Sequence, residues 1–384
     1  MKKIGIITVS RTINFGAELQ AFALQHKLNQ LEYNAEVIDY LYYKNKRHIA
    51  AKDSKPEMKF GIKELIKNTL LYRYISPVID RILPMFNSKT KQRNLNFETF
   101  HKKNTVFSRE FRSIGELYGY KHKYDVFISG SDQVWNPATF SSLKPYLLDF
   151  APKGKKRIAY AASFGVSKVS ENYIDTYRSL FSKMDAIAVR EESAKDLIKQ
   201  ITNRETEVVL DPTLLLAKSD WENISDSANI KVDQPYILIY DLHPSESLIE
   251  VTKKIKNKLG LPVYRICKRS FRNPKNEGVI NIEDAGPSEF VSLFMNAKHV
   301  ITNSFHGTVF STNFNIPFHV VLNPTRKNNS RITGFLEKTG LTECIIWEDQ
   351  IDKRIKTNVD FENANNVLNQ LRLKSLDFIK KAIG

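Results

Sequence analysis

Cysteine is nearly absent: Cys267 and Cys344 are the only two in 384 residues. Their separation fits no metal-binding spacing. This excludes a disulfide-stapled secreted scaffold and a cysteine-held iron–sulfur cluster, and makes a reducing compartment the default. Long hydrophobic runs are missing too. The apolar stretch behind Met1-Lys2-Lys3 extends only from Ile4 to Val9 before Ser10-Arg11. That is shorter than the roughly 7–15 apolar residues of a signal-peptide core, and no run approaches the roughly 18–20 of a membrane span. A cytoplasmic location is therefore expected. No G-x-G-x-x-G follows the first apolar strand, so a nicotinamide dinucleotide gains no support. Internal repeats and low-complexity tracts are also lacking.

What is present is a chain able to bury a core, with 42% apolar and 11% aromatic residues. Its length exceeds the roughly 250–300 residues at which one hydrophobic core stops growing, so two domains are expected. The net charge is +16, and it is unevenly placed. Residues 41–124 hold 19 Lys and Arg against 7 Asp and Glu, a net of +12. This excludes a uniformly basic protein and leaves one basic face, whose partner is nucleic acid, an anionic membrane or an acidic substrate. Within it, Met58–Phe86 interleaves Ile62, Leu65, Ile66, Ile75 and Ile79 with Lys59, Lys63, Lys67 and Arg73, the pattern of amphipathic helices. No standard nucleic-acid reader motif occurs, so nucleic acid is not expected as the partner.

Short apolar runs alternate with helical patterns. Ile4–Val9, a helix over Glu18–Leu31 and Ala35–Tyr40 make a first strand–helix–strand crossover. Asp125–Ser129, Arg157–Ala161, Ala186–Val189 and Glu207–Leu210 follow, with a helix at Glu191–Ile201. A second series contains Tyr236–Tyr240, Pro262–Ile266, His299–Thr302 and Pro317–Leu322, with helices at Glu246–Leu259 and Ser288–Asn296. These strands are continuous apolar runs, as expected for parallel sheets covered on both faces. The expected fold is α/β, with two doubly wound domains facing a cleft. The first spans 1–216 with a basic helical insertion at 41–124, and the second spans 235–350. Residues 217–234 link them, and 351–384 form a closing helix. Ligands of such a fold bind at the carboxyl ends of the strands.

The polar motifs sit at those ends. Asn14-Phe15-Gly16-Ala17 precedes a helix, where backbone N–H groups and the helix dipole favour an anion; a plain glycine turn is the alternative. Ser129-Gly130-Ser131-Asp132-Gln133-Val134-Trp135-Asn136 follows strand Asp125–Ser129. Its hydroxyls and glycine could cradle an anion, Asp132 and Asn136 could hold sugar hydroxyls, and Trp135 could stack on a sugar face. The alternative is a capped turn with a core tryptophan. Thr302-Asn303-Ser304-Phe305-His306-Gly307 places a histidine, suited to proton transfer near neutrality, at a strand end facing the cleft. Arg190 and Arg331 offer planar forks for phosphate or carboxylate. Asp211 and Ser163 occupy two further strand-end turns, Asp211 being either a ligand contact or a turn cap.

Taken in order, NFGAELQAFAL (14–24), DVFISGSDQVWNP (125–137), YAASFG (160–165), AIAVREESA (186–194), VVLDPTLLL (208–216), ITNSFHGTVFS (301–311) and NIPF (315–318) resemble the polysaccharide pyruvyl transferase family. The resemblance covers most of residues 5–335. It implies a fold similar to the GT-B glycosyltransferases. It also implies transfer of pyruvate from phosphoenolpyruvate onto a sugar of a cell-surface polysaccharide or its precursor, as a cyclic ketal.

On that reading His306 is the general acid and Asp132 accepts the acceptor hydroxyl's proton. Arg190, Arg331, Asn303, Ser304 and Gly307 hold the donor. Asn14, Gly16, Ser129, Gly130, Ser131, Gln133, Trp135, Asn136, Ser163 and Asp211 hold donor or acceptor. No metal or other cofactor is called for. One departure stands out: some members carry Arg two positions before the histidine, where this chain has Ser304. The phosphate-binding cation then comes from Arg190, Arg331, Arg326 or Lys327. The expected partners are phosphoenolpyruvate and a glycan acceptor, lipid-diphosphate-linked in one version, with the basic segment leaning on an anionic membrane face. The nearest alternative is a nucleotide-sugar glycosyltransferase of the same architecture.

Overall fold

The computed structural model describes residues 1–41, 47–48, 88–137, 142–243, 245–267, 278–326, 329–351 and 355–384. The amphipathic pattern at 58–86 and Lys327 lie outside the described residues. Along the first half run β1 (Lys3–Ile7), α1 (Phe15–Gln30), β2 (Asn34–Tyr40), α2 (Ser88–Asn104), β3 (Phe107–Phe111), α3 (Ile114–Gly119), β4 (Val126–Ser129), β5 (Lys156–Ala162), α4 (Glu171–Phe181), β6 (Ala186–Val189), α5 (Glu192–Thr202) and β7 (Glu207–Val208). After α6 (Lys218–Asp226), the second half comprises β8 (Ile237–Tyr240), α7 (Glu246–Leu259), β9 (Val263–Ile266), β10 (Val279–Ile282), α8 (Pro287–Met295), β11 (His299–Thr302), α9 (Phe305–Phe314), β12 (Phe318–Leu322), α10 (Ser330–Thr339) and β13 (Ile345–Trp347). The last helix is α11 (Glu362–Ile383).

The strands form two sheets, ordered β3-β2-β1-β4-β5-β6-β7 and β10-β9-β8-β11-β12-β13. Every strand pairing is parallel. The apolar runs read from the sequence explain why. Residues of β4, β8, β11 and β12 are buried at every position, so neither face of these strands meets water. Each sheet reverses its winding direction once, between β1 and β4 and between β8 and β11. At such a reversal the connecting helices leave on opposite faces, and a crevice opens beyond the strand ends.

The described part of the basic segment is not only helical. β3 extends the first sheet beside β2, so residues 107–111 belong to that sheet rather than to an inserted helical unit. Its sequence FSREF alternates without a continuous apolar run, which hid it. α2 spans the two domains: Arg93 Nη1 donates to Glu283 O at 3.0 Å and Asn96 Nδ2 to Asp284 O at 2.9 Å. Residues 217–234 are likewise a packed joint rather than a loose linker. Trp221 of α6 is fully buried, 5.6 Å from the Phe22 ring of α1 and 5.1 Å from the Phe310 ring of α9.

α11 returns to the first domain. Ser375 Oγ accepts Leu210 N–H at 3.0 Å, and Lys2 and Lys156 each donate to the Ile383 carbonyl at 2.9 Å. Two cations thus meet the negative end of the helix dipole.

His299 and His319 pair between β11 and β12, Nε2 to Nδ1 at 2.9 Å. Burial, with Lys258 nearby, depresses His319 to about 4. Burial and the adjoining His319 depress His299 to about 3. Their unfolded values lie near 6.5. Between those limits the unfolded chain binds more protons, so stability is present above pH 6.5 and is lost as pH falls below it. Each histidine should remove about 1.4 kcal/mol per pH unit across that window. Urea unfolding from pH 7 to pH 5 should show a falling midpoint, and the double substitution His299→Leu/His319→Leu should flatten that dependence.

Candidate functional site

The cleft between the domains is lined by loops after β1, β4, β8, β11 and β12. Four of these strands flank the two winding reversals. In the first domain, Thr8 Oγ1 donates to Ser131 O at 2.8 Å and accepts Gln20 Nε2 at 2.9 Å, which ties the β1 and β4 loops together. Asn14 caps α1 through Ala17 N–H at 3.4 Å. Phe15 stacks on Phe290 of the second domain, ring centroids 4.9 Å apart. Gly16 lies directly against His306: a Cβ there would sit 2.1 Å from His306 Nδ1. The absence of a side chain at position 16 makes room for the imidazole.

Arg190, straight after β6, is the hub. Its side chain is 2% exposed. Nη1 donates to Asp211 Oδ2 at 3.0 Å, Nε reaches Glu191 Oε2 at 3.5 Å, and Nη2 lies 3.8 Å from Asp132 Oδ1. The guanidinium carbon lies 4.8 Å from the Phe305 ring centroid. Asp132 adopts a left-handed backbone with φ of 75°, and its carbonyl accepts Ser163 N–H at 3.0 Å. Ser163 Oγ donates in turn to Glu191 Oε1 at 2.5 Å. Asp211 receives Ser131 Oγ at 2.9 Å on Oδ2, and Thr213 N–H at 3.1 Å and Oγ1 at 2.8 Å on Oδ1.

In the second domain, Thr302 Oγ1 donates to Tyr240 O at 2.5 Å, tying the β11 and β8 ends. Ser304 caps α9 by accepting Gly307 N–H at 3.4 Å. Asn303 accepts Leu242 N–H at 2.8 Å and donates to His243 O at 2.7 Å. His306, in the first turn of α9, is 13% exposed, with Nε2 4.0 Å from Asp211 Oδ2. Arg326 and Asn329 reach the cleft from the β12–α10 connection, and Arg331 from the first turn of α10.

Electrostatics follow from burial. Desolvation lowers the His306 pKa, Asp211 and Asp132 oppose this, and Arg190 and Arg331 reinforce it, so burial disfavours the imidazolium. Burial works against the Asp211 carboxylate, but His306 and Arg190 outweigh it and hold its pKa below the usual range. Arg190 is raised despite burial, by Glu191, Asp211 and Asp132. Among the described residues, Arg190 Nη2, His306 Nε2 and Arg331 Nε are buried without a hydrogen-bond partner. A buried donor left unpaired is costly, and an anion in the cleft is the chemistry that would satisfy the guanidinium pair. No three His, Cys, Asp or Glu side chains among the described residues are grouped to hold a metal ion.

The sequence-derived site is thus brought together in part. Asn14, Asp132, Gln133, Asn303, Ser304, His306 and Arg331 line the cleft, and Arg190 lies just behind it. Several expected ligand contacts are corrected. Trp135 is fully buried, 4.8 Å from the Phe181 ring centroid, so it cannot stack on a sugar. Ser129 is sealed in the interior, its hydroxyl donating to Tyr146 O. Gly130 packs on Thr8 and Gly307 on Thr302, each without space for a Cβ. Asn136 donates to Gln133 Oε1. Ser131, Ser163 and Asp211 are buried and hold other site residues rather than a ligand. Tyr240, His243, Ser245, Asn323 and Glu348 also line the cleft. Their sequence signal was position just beyond a strand, without a motif around them.

The family model for polysaccharide pyruvyl transferase matches residues 14–324. Among curated proteins no sequence matches. The UDP-GlcNAc 2-epimerase of Methanocaldococcus jannaschii superposes over 97% of this chain and 100% of its own at a TM-score of 0.55, with 12% identity. That of Rickettsia bellii covers 100% of this chain and 97% of its own at 0.52, with 10% identity. At such identity the likeness is one of fold, the two-domain GT-B-like architecture. No described helix is long and apolar enough to cross a membrane. With its fold, the order of its strand-end motifs and a family match over most of its length, the chain belongs to the polysaccharide pyruvyl transferase family.

Proposed function

We propose that the protein transfers pyruvate from phosphoenolpyruvate to a sugar of a cell-surface polysaccharide or its lipid-linked precursor, forming a cyclic ketal. The observation that carries this reading is the meeting of His306 and Arg331 at the cleft with Arg190 just behind them, Arg190 Nη2 and Arg331 Nε being buried without a hydrogen-bond partner. Two guanidinium forks suit a donor bearing a phosphate and a carboxylate, and the histidine stands beside them.

The chemistry balances on these groups. Protonated His306 gives its proton to the methylene carbon of the donor. The neighbouring carbon becomes electrophilic and a sugar hydroxyl adds, its proton passing to Asp132. The carbon–oxygen bond to phosphate breaks and phosphate leaves with the proton held by Asp132; a second hydroxyl then closes the ring and returns its proton to His306. Arg190 and Arg331 stabilise the departing charge. Since burial disfavours the His306 imidazolium and an incoming anion favours it, donor binding should be coupled to proton uptake.

Phosphate release from phosphoenolpyruvate with a nitrophenyl or lipid-linked glycoside tests the reading, and saturable binding of UDP- or GDP-sugars without phosphoenolpyruvate binding would overturn it. His306→Ala should lower kcat by about 10^2- to 10^4-fold with an unchanged circular dichroism spectrum. Arg331→Ala should mainly raise the donor KM, whereas Arg190→Ala, which strands the buried carboxylates of Glu191 and Asp211, should also lower the unfolding midpoint. Gly16→Ala, which drives a methyl into the histidine, should cost on the order of 10^2-fold in kcat. Calorimetry of donor binding at pH 7.5 in buffers of different ionisation enthalpy should report net proton uptake; proton release would contradict the role given to His306.

A further inference from the structure

Asp211 lies behind His306. Its side chain is fully buried, and it borders the adjoining pocket with Arg190 and Arg331 rather than the cleft itself. Oδ1 is occupied by two donors from Thr213, and Oδ2 holds Ser131 and Arg190. Oδ2 also faces His306 Nε2 at 4.0 Å. That separation is beyond hydrogen-bond length, which for nitrogen and oxygen is about 2.7–3.2 Å, but within Coulombic reach. The opposite ring nitrogen, Nδ1, lies over Gly16. The two nitrogens of His306 therefore look in different directions. Nε2 is buried and faces a carboxylate that can only accept, while Gly16 of the facing domain lies over the ring beside Nδ1.

The charged groups around the ring are Asp211, Asp132, Arg190 and Arg331; the α1 terminus contributes only the Gly16 backbone. Of these, Asp211 is the acceptor placed opposite Nε2. We propose that Asp211 is a positioning residue that fixes the Nε2–H tautomer of His306, leaving Nδ1 as the nitrogen that exchanges a proton with the substrate. Asp211 is carried by the first domain and His306 by the second. A shift of about 1 Å in the His306 side chain would turn the present contact into a hydrogen bond, so the two domains together complete the proton-transfer group. The neutral ring takes a proton on Nδ1 from solvent as the anion binds, and that proton is the one delivered. This last step rests on the pyruvyl-transfer reading; the tautomer does not.

The experiment reads the tautomer in the ligand-free protein, by nitrogen NMR of 15N-histidine-labelled full-length chain at pH 8.5. His306→Gln assigns the signal by its loss. The wild-type ring should show a protonated Nε2 and a bare Nδ1; a predominant Nδ1–H form overturns the proposal whatever the enzyme's substrate. Asp211→Asn offers a donor in place of an acceptor and should shift the population towards Nδ1–H; an unchanged tautomer in that variant also overturns it. In turnover, Asp211→Asn should lower kcat at least about tenfold and move the alkaline limb of the pH–rate profile to lower pH, with a smaller change in donor KM. If Asp211→Asn does not fold, the wild-type spectrum alone decides. Absence of pyruvyl transfer with an Nε2–H spectrum would defeat the function and leave the tautomer assignment standing.

Discussion

The site depends on burying a guanidinium. A charge moved out of water is costly unless its partners move with it, and Arg190 takes three carboxylates into the interior with it: Asp132, Glu191 and Asp211. The two most buried carboxylates need further donors, which come from Ser163 for Glu191 and from Ser131 and Thr213 for Asp211. One buried cation thus organises the loops after β4, β5, β6 and β7 into a single connected network. Phe305, beneath the guanidinium, extends that network into the second domain. Residues that carry polar side chains yet touch no ligand are explained by this requirement for paired charges.

The cleft itself is a product of sheet topology. Parallel strands direct all their carboxyl ends to one edge, and the winding reversal in each sheet leaves that edge uncovered. β1 and β4 supply Asn14 and Asp132; β8 and β11 supply Tyr240 and His306. The opposing loops are held at a fixed distance by aromatic packing of Phe15 on Phe290 and Tyr240. Between them Gly16 and His306 touch, because one of the two has no side chain.

Much of this was readable from the amino acids alone. Continuous apolar runs identify the buried parallel strands, and the polar turns that follow mark the cleft edge. The edge strands β3, β10 and β13 were not legible. An edge strand is shielded on fewer sides, so FSREF and VINI carry no uninterrupted apolar signature. Trp135 was misread because an aromatic beside polar turn residues looks the same whether it faces a sugar or the core. Only packing against Phe164 and Phe181 distinguishes the two. Asp211 illustrates the opposite limit. Its turn geometry was evident from Asp-Pro-Thr, but its approach to His306 joins residues 95 positions apart in the chain, which no local pattern encodes.

The return of α11 has a mechanical consequence. Lys2 and Ile383 are hydrogen-bonded, so both ends of the described chain lie on the first domain, and the second domain is threaded between them. It is attached by two polypeptide crossings, at α6 and before α11. A single tether would allow the domains to swivel freely. A second attachment resists that torsion, which keeps Gly16 and His306 in register.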